Sequence, residues 1–290
     1  MRDISVKALA KINLGLDVVR KREDGYHEVR MVMQTIHLFD RLELARNSSG
    51  KITIKTNLPF LPTNENNLVY KAAKLLRDEF QIKDGLDVKL SKHIPVAAGM
   101  AGGSTDAAAI LYGMNRMFEL GLSKEALMKR GVRIGADVPY CIMRGTALAE
   151  GIGEQLTALP PMVKCPVLIA KPQVNVSTRF VYENLKLNQT TVHPDIDRLL
   201  KDIREKNLPQ IAADMGNVLE TVTIPAYPII AKIKEHMREH GALNAMMSGS
   251  GPTVFGLFER ESTAAKAYEA MRKSGLAKQL YLTSIYNNAR

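Results

Sequence analysis

The chain has 290 residues, and its 40 Lys and Arg against 30 Asp and Glu give a formal net charge of +10. Hydrophobic residues make up 46% and charged residues 24%, which excludes an intrinsically disordered chain. No apolar run has the length of a membrane span, and the acid near the N-terminus argues against a signal peptide. Two cysteines, Cys141 and Cys165, are too few for a disulfide framework, so we expect both to be buried in a cytoplasmic protein.

The first third of the chain alternates apolar and polar residues over short stretches, a pattern typical of β-strands. The predicted strands lie at residues 4–18, 29–38, 40–44, 51–56 and 85–90. The first two are expected to form a β-hairpin whose charged tip turns at Asp24 and Gly25. Residues 66–80 have apolar side chains at helical spacing behind an Asn-rich cap, which predicts the first helix.

The rest of the chain mixes helices and strands. Further helices are predicted at residues 104–119, 123–133, 178–185, 195–206, 226–239 and 262–273. Strands are predicted at 167–170 and 280–286, with a hairpin at 245–258. Because the elements interleave without a regular βαβ repeat, the predicted fold class is α+β with two domains. The Pro160-Pro161 pair favours a junction, so the predicted domains are residues 1–158 and 159–290.

A glycine-rich loop is the most informative segment of the sequence. It consists of Pro95, Val96, Ala97, Ala98, Gly99, Met100, Ala101, Gly102, Gly103, Ser104 and Thr105. Its small residues permit tight turns and close approach of a ligand, and the helix that follows directs its free N–H groups at that ligand. These features predict a phosphate site in which the hydroxyl groups of Ser104 and Thr105 contact phosphate oxygens or a magnesium ion. The alternative is a tight strand-to-helix turn that binds nothing.

The spacing of this loop excludes the best-known nucleotide-binding motifs. It has neither the G-x-x-x-x-G-K-[ST] pattern of a P-loop nor the G-x-G-x-x-G pattern of a dinucleotide-binding fold. The loop does resemble the phosphate loop of the GHMP kinases, which include homoserine, mevalonate and galactose kinases. Two segments at residues 10–14 and 247–253 agree with the same family in the expected order.

The resemblance to GHMP kinases implies a fold and a set of ligands. The fold would combine an N-terminal ATP-binding domain similar to domain 2 of ribosomal protein S5 with a ferredoxin-like C-terminal domain. The implied ligands are ATP, Mg²⁺ and a small alcohol that receives the phosphoryl group. Two residues depart slightly from the family loop, since Met100 replaces leucine and Thr105 replaces serine.

Within the family, residues 22–28 and 135–139 resemble members whose substrate is a cytidine-diphosphate alcohol. By that resemblance, Tyr26 and His27 hold the cytosine by stacking and hydrogen bonding, chemistry that suits an aromatic ring and an imidazole. Thr178 and Tyr182 match the region that supplies a substrate contact and a second aromatic wall. Without the resemblance, the sequence favours a surface-loop residue as the interpretation of His27.

Phosphoryl transfer depends on positioning, charge neutralisation and removal of the hydroxyl proton. Asp137 follows two small residues in a turn, and we predict that it is the base. The resemblance pairs it with Lys11, which would stabilise charge on the attacking oxygen or the phosphate. Asn13, two residues after Lys11, lies on the same face of an extended strand and is a candidate substrate ligand. The alternative for Lys11 and Asp137 is a structural ion pair.

Two other functions remain open from the sequence. One is a GHMP kinase of the homoserine or mevalonate type, and the other is an RNA-binding module suggested by the +10 charge. We favour a small-molecule cytidine-diphosphate substrate, no nucleic acid and no membrane partner, and a monomer or weak homodimer. His236 and His240 lack the His-Glu pattern of a zinc protease, so we interpret them as a solvated helix end.

Overall fold

The structure, a computed structural model, describes residues 3–188 and 191–288. Within these ranges, no helix has the length and apolar character needed to cross a bilayer. The strands are β1 (Asp3–Lys21), β2 (His27–Asn47), β3 (Ile52–Thr56), β4 (Gly85–Ser91), β5 (Thr146–Glu150), β6 (Gln155–Ala158), β7 (Pro166–Lys171), β8 (Gly216–Asn217), β9 (Asn244–Met247), β10 (Val254–Leu257) and β11 (Gln279–Ser284). The helices are α1 (Leu68–Glu79), α2 (Gly102–Met117), α3 (Lys124–Val132), α4 (Val138–Met143), α5 (Thr178–Asn184), α6 (Ile196–Glu205), α7 (Leu208–Ala213), α8 (Glu220–Ala226), α9 (Ile229–Glu239) and α10 (Glu261–Ser274).

The chain divides into two compact units that interleave along the sequence. The first unit contains residues 1–10, 38–96 and 101–143, and the second contains residues 11–37, 97–100 and 144–290. The long strands β1 and β2 each contribute residues to both units. The consecutive domains at residues 1–158 and 159–290 stay a prediction.

The first unit packs helices on a sheet. In this unit β3 pairs in parallel with β4, and β4 pairs antiparallel with the second half of β2, from Arg41 opposite Ser91 to Asn47 opposite Gly85. Helix α1 begins at a true N-cap, where the Asn67 side chain accepts the N–H of Val69. Helix α2 approaches the sheet closely at Gly113, where an added Cβ would lie 2.9 Å from the Leu44 side chain. The lack of a side chain at Gly113 therefore permits close packing of α2 on the sheet.

The second unit contains a four-stranded antiparallel sheet in the order β11-β7-β10-β9. Numbered by their sequence within this sheet, the strands lie in the order 4-1-3-2, which is the ferredoxin-like β-α-β-β-α-β arrangement. Helices α9 and α10 bury one apolar face each, including Ile233 and Met271. Elsewhere in this unit β8 pairs in parallel with β1, which places Asn217 beside Leu16. The predicted α+β class and ferredoxin-like C-terminal region are confirmed.

Most predicted elements are present, but the two strands predicted at residues 29–38 and 40–44 are one continuous strand, β2. The sequence prediction also missed six short elements. They are α4, α7, α8, β5, β6 and β8. Each has at most seven residues, so its hydrophobic period is too short to detect and its stability depends on pairing and packing with distant residues.

Both cysteines are buried thiols, as expected. Burial raises the pKa of the Cys165 thiol to about 12, so that this group stays protonated at neutral pH. A protonated buried thiol is a poor nucleophile. Cys165 therefore acts as a small apolar residue of the core.

Candidate active site

The backbone of the glycine loop alternates between left-handed and ordinary conformations. Ala97, Gly99 and Ala101 have φ angles of 50°, 71° and 56°, and the residues between them have ordinary φ values. Such alternation turns successive N–H groups toward one concave side, a geometry that binds anions. Ala101 is also the N-cap of α2 and has no side-chain bond to the N–H groups of the first helical turn. Those N–H groups and the positive end of the helix dipole suit a phosphate ligand.

Gly99 is required by the close approach of a second loop. The Ser248 hydroxyl donates to the carbonyl oxygen of Gly99 at 3.0 Å. A Cβ atom on Gly99 would lie far inside van der Waals distance of the Ser248 carbonyl oxygen. One residue later, the carbonyl of Met100 accepts the backbone N–H of Lys11 at 3.3 Å. The glycine loop is therefore fixed against both the β9–β10 connection and β1.

The β9–β10 connection, residues 248–253, is held by an asparagine that sequence reasoning missed. The Asn217 side chain donates to the carbonyl oxygens of Met247 and Gly249 at 2.9 and 2.8 Å. Asn217 lies in the two-residue strand β8, and its bonding partners follow it by at least thirty residues. No local signal in the sequence could have identified it.

Lys11 and Asn13 lie side by side on one face of β1, as strand alternation requires. The Lys11 ammonium donates to Asn13 Oδ1 at 2.6 Å, and both side chains are buried. The Asn13 amide also lies 3.6 Å from the sulfur of Met31. Asn13 therefore orients the Lys11 ammonium, a role that the sequence did not predict for it. Its predicted contact with substrate stays a prediction.

Tyr26 and His27 lie at the tip of the β1–β2 hairpin, as predicted. The turn is closed by a bond from Arg22 N to the Tyr26 carbonyl and by a bond from Tyr26 N to the Asp24 carboxylate. Tyr26 is 60% exposed. Partial burial, assisted by the charge of Lys21, lowers the pKa of His27, so its imidazole is neutral at pH 7 and offers one donor and one acceptor.

Helix α5 brings two predicted residues to this part of the second unit. The ring of Tyr182 lies 5.1 Å from the ring of His27, with an angle of 41° between their planes. The Thr178 hydroxyl lies 2.8 Å from the hydroxyl of Ser250 in the β9–β10 connection. Because Thr178 and Tyr182 are four residues apart, they share one face of α5. The structure thus joins Tyr182 to His27 and Thr178 to the second loop.

One predicted hydroxyl contact requires correction. Thr105 is buried, and its hydroxyl donates to the backbone carbonyl of Leu9 at 2.8 Å. That hydroxyl supports the start of α2 from beneath instead of facing a ligand. Ser104 is half-buried in the same helical turn, and its contact with a phosphate or magnesium ion stays a prediction.

A buried cluster of three charged side chains lies under the glycine loop. The Lys92 ammonium binds the carboxylates of Asp40 and Asp106, the latter at 2.7 Å. Asp40 also accepts the backbone N–H groups of His93 and Ile94 at 2.5 and 2.8 Å. Asp106 belongs to the first turns of α2. The Lys92 ammonium therefore links β2, the segment that precedes the glycine loop, and helix α2.

The protonation of this cluster follows from its burial. Burial opposes the charge of Lys92, but Asp106 and Asp40 outweigh that effect and raise the pKa of the ammonium. Burial raises the pKa of Asp106 well above its usual range, while Lys92 acts in the opposite direction. Lys92 is therefore charged at neutral pH. The sequence did not reveal this cluster because its members are far apart along the chain.

Asp137 immediately precedes α4 in the first unit. Its backbone carbonyl accepts the N–H of Cys141 at 3.0 Å, which starts the helix. The residue is half-buried, as the predicted small-residue turn permits. Its role as the base and its pairing with Lys11 stay predictions.

Two family models match the chain. The model described as GHMP kinases N terminal domain matches residues 67–145, and the model described as GHMP kinases C terminal matches residues 199–277. Together with full-length relatives of high identity, these matches show that the chain belongs to the GHMP kinase family. The family implies that the chain is an enzyme that uses ATP and acts on a small molecule.

Individual relatives indicate which kinds of GHMP kinase the chain is similar to. The chain is 58% identical to a protein of Lachnospira eligens named 4-diphosphocytidyl-2-C-methyl-D-erythritol kinase, with 99% of both chains covered. A crystal structure titled 4-(cytidine 5'-diphospho)-2C-methyl-D-erythritol kinase matches with a TM-score of 0.84 and 30% identity, covering 98% of this chain and 100% of that one. A homoserine kinase from Cytophaga hutchinsonii, at 20% identity and a TM-score of 0.78, covers 99% of this chain and 94% of that one. That last likeness shows the fold alone.

Replacing Gly99 by alanine tests the contact between the two loops. We expect Gly99→Ala to lower the free energy of unfolding by about 1–3 kcal/mol beyond the cost of left-handed alanine, because its methyl group collides with Ser248. Gly275→Ala is the matched control, since Gly275 has a φ of 67° and no atom of the described residues lies within 4 Å of an added Cβ. Urea unfolding measures the free energy of unfolding, and steady-state kinetics measure the KM for ATP. Equal stability losses with an unchanged KM would refute the contact.

Replacing Lys92 by methionine tests the buried cluster. We expect Lys92→Met to destabilise the protein by about 3–5 kcal/mol, because two buried carboxylates lose their counter-charge. Lys89→Met removes an exposed ion pair with Glu43 and should change stability by about 0–1 kcal/mol. The added substitution Asp106→Asn should restore part of the loss. Urea unfolding of the three variants measures these changes in the free energy of unfolding. Similar losses for Lys92→Met and Lys89→Met would contradict the role of the cluster.

Substitution of Lys21 tests whether its charge lowers the pKa of His27. We expect the pKa of His27 to lie below the ordinary value of about 6.5, and Lys21→Gln to raise it by removing a neighbouring positive charge. NMR titration of the imidazole C–H signals measures both values. Lys266→Gln, on α10, is the control and should leave the His27 pKa unchanged. A His27 pKa that does not rise in Lys21→Gln would disprove the electrostatic effect.

Proposed function

We propose that the chain transfers the γ-phosphoryl group of ATP to the 2-hydroxyl group of 4-diphosphocytidyl-2-C-methyl-D-erythritol, in the non-mevalonate route to isoprenoid precursors. The observation that carries the choice of substrate is the pair formed by His27 and Tyr182, whose rings are 5.1 Å apart. Aromatic surfaces and a neutral imidazole suit a cytosine, which a homoserine or mevalonate kinase does not need to bind. The name of the Lachnospira eligens relative agrees with this choice.

The glycine loop supports the use of ATP. Its left-handed residues and the uncapped start of α2 together present backbone N–H groups to an anion. Ser104 adds a hydroxyl oxygen in the same turn. Magnesium usually keeps several waters and binds phosphate oxygens with few protein ligands, so this donor set fits an Mg²⁺ ion held chiefly by ATP. Bound Mg²⁺ would neutralise charge on the transferring phosphoryl group.

The proposed reaction has balanced steps. The substrate hydroxyl oxygen forms a bond to the γ-phosphorus, the bond from that phosphorus to the β-phosphate oxygen breaks, and ADP leaves. Asp137 accepts the hydroxyl proton. The ammonium of Lys11, oriented by Asn13, stabilises the negative charge that develops during transfer. Tyr26, His27, Thr178 and Tyr182 bind and orient the substrate.

The alternatives make different predictions. The +10 charge is compatible with RNA, but a protein that binds ATP and a diphosphocytidyl substrate also meets several phosphate charges. Incubation with ATP, Mg²⁺ and each of the three alcohols separates the kinase types. We expect ADP only with 4-diphosphocytidyl-2-C-methyl-D-erythritol. ADP formation with mevalonate or homoserine alone would reject the proposed substrate, and salt-dependent RNA binding without turnover would reject the kinase. A cytoplasmic location and a monomer or weak homodimer stay predictions.

The role of Asp137 can be tested by one isosteric substitution. We expect Asp137→Asn to lower kcat by about 10²–10⁴-fold while ATP affinity is retained, because the amide cannot accept the proton. Asp84→Asn, at an exposed carboxylate, is the matched control. Steady-state kinetics and calorimetric ATP binding provide the measurements. A kcat near that of Asp84→Asn would leave Asp137 without a role as base.

A further inference from the structure

A cluster of potential metal ligands lies at the C-terminal end of α9, and none of its members is assigned a role in phosphoryl transfer. One nitrogen of His236, one nitrogen of His240 and one carboxylate oxygen of Glu239 lie within 4.8 Å of one another. These residues occupy positions i, i+3 and i+4, which a helix places on one face. Among the described residues, this is the only such group of three His, Cys, Asp or Glu side chains.

The structure differs here from the solvated helix end that the sequence favoured. His236 and His240 are both half-buried, and their rings lie 4.2 Å apart at an angle of 34°. The third ligand, Glu239, directly precedes the second histidine. The zinc-protease pattern places its glutamate directly after the first histidine, so a search for that pattern overlooks Glu239.

Hydrogen bonding leaves each imidazole with a nitrogen that can bind a metal. His240 Nδ1 lies 2.8 Å from the backbone carbonyl oxygen of His236. A carbonyl only accepts, so Nδ1 carries the hydrogen and Nε2 retains its lone pair. Such a bond to a carbonyl is the usual way in which proteins orient a metal-binding histidine. The Nε2 atom of His236 is buried and has no hydrogen-bond partner among the residues that the structure describes, a state that a bound ion would relieve.

The electrostatic surroundings favour a cation. The C-terminal end of a helix carries partial negative charge from its unpaired carbonyl groups. Two basic residues of α9 are neutralised by ion pairs, Arg238 with Glu235 at 2.7 Å and Lys234 with Glu220. Glu239 is exposed, so an ion at this position would keep water molecules in its remaining coordination positions.

We propose that His236, Glu239 and His240 form a binding site for a divalent transition metal ion such as Zn²⁺ or Co²⁺. Two imidazole nitrogens and one carboxylate oxygen are ligands that these ions prefer. Mg²⁺ binds oxygen ligands in a strict octahedron, so it does not compete for a site with two nitrogen ligands. The proposed site is therefore chemically distinct from a site for the Mg²⁺ that accompanies ATP.

Calorimetric titration of the full chain with ZnCl₂, in buffer with millimolar Mg²⁺, tests the proposal. We expect one equivalent of Zn²⁺ to bind, and Co²⁺ to give a visible absorption band on the same residues. His240→Ala and Glu239→Gln should each weaken Zn²⁺ binding about tenfold or more. His193→Ala, at a histidine paired with Asp17, is the control and should leave binding unchanged.

Weaker Zn²⁺ binding must be distinguished from loss of folding in the variants. Glu239 is exposed, so Glu239→Gln keeps the shape of the side chain without disturbing the core. A melting curve by circular dichroism establishes that each variant is folded. Absence of saturable Zn²⁺ binding or displacement of Zn²⁺ by Mg²⁺ would overturn the proposal. So would a Zn²⁺ affinity in the folded Glu239→Gln and His240→Ala variants that equals the affinity of the unsubstituted chain.

Discussion

The contact between the backbones of Gly99 and Ser248 is the constraint on which the candidate site depends. Two loops approach so closely that position 99 has no space for a side chain. Through this contact the glycine loop is fixed to the β9–β10 connection, which also carries Ser250, the partner of Thr178. Gly99 of the proposed phosphate loop and Thr178 of the proposed substrate site therefore both form hydrogen bonds to the β9–β10 connection, within one compact unit.

The glycine loop has an unfavourable backbone conformation, which contacts with its surroundings stabilise. A left-handed alanine costs about 1–2 kcal/mol, and Ala97 and Ala101 both adopt this state. Bonds to buried partners offset that cost, including the Asn217 amide on the β9–β10 connection and the Lys92 cluster under α2. A loop that is already held in one conformation avoids the cost of ordering it when a ligand binds.

Local signals in the sequence predicted much of the fold and of the site. The glycine loop, the hairpin tip at Asp24 and Gly25, and the ferredoxin-like region follow from turn residues, hydrophobic periods and a family resemblance. The charged cluster of Asp40, Lys92 and Asp106 did not follow, because its members come together only through tertiary packing. The same reason explains why the Thr105 hydroxyl was assigned to a ligand although it binds the Leu9 carbonyl.

The central claim is that backbone N–H groups of the glycine loop hold the phosphates of ATP. Amide chemical shifts of the ¹⁵N-labelled chain, recorded during titration with ATP and Mg²⁺, test it most directly. We expect the largest shifts at residues 97–104, with saturation at the same ATP concentration that saturates the kinase. Shifts confined to other segments, with residues 97–104 unchanged at saturating ATP, would contradict the claim.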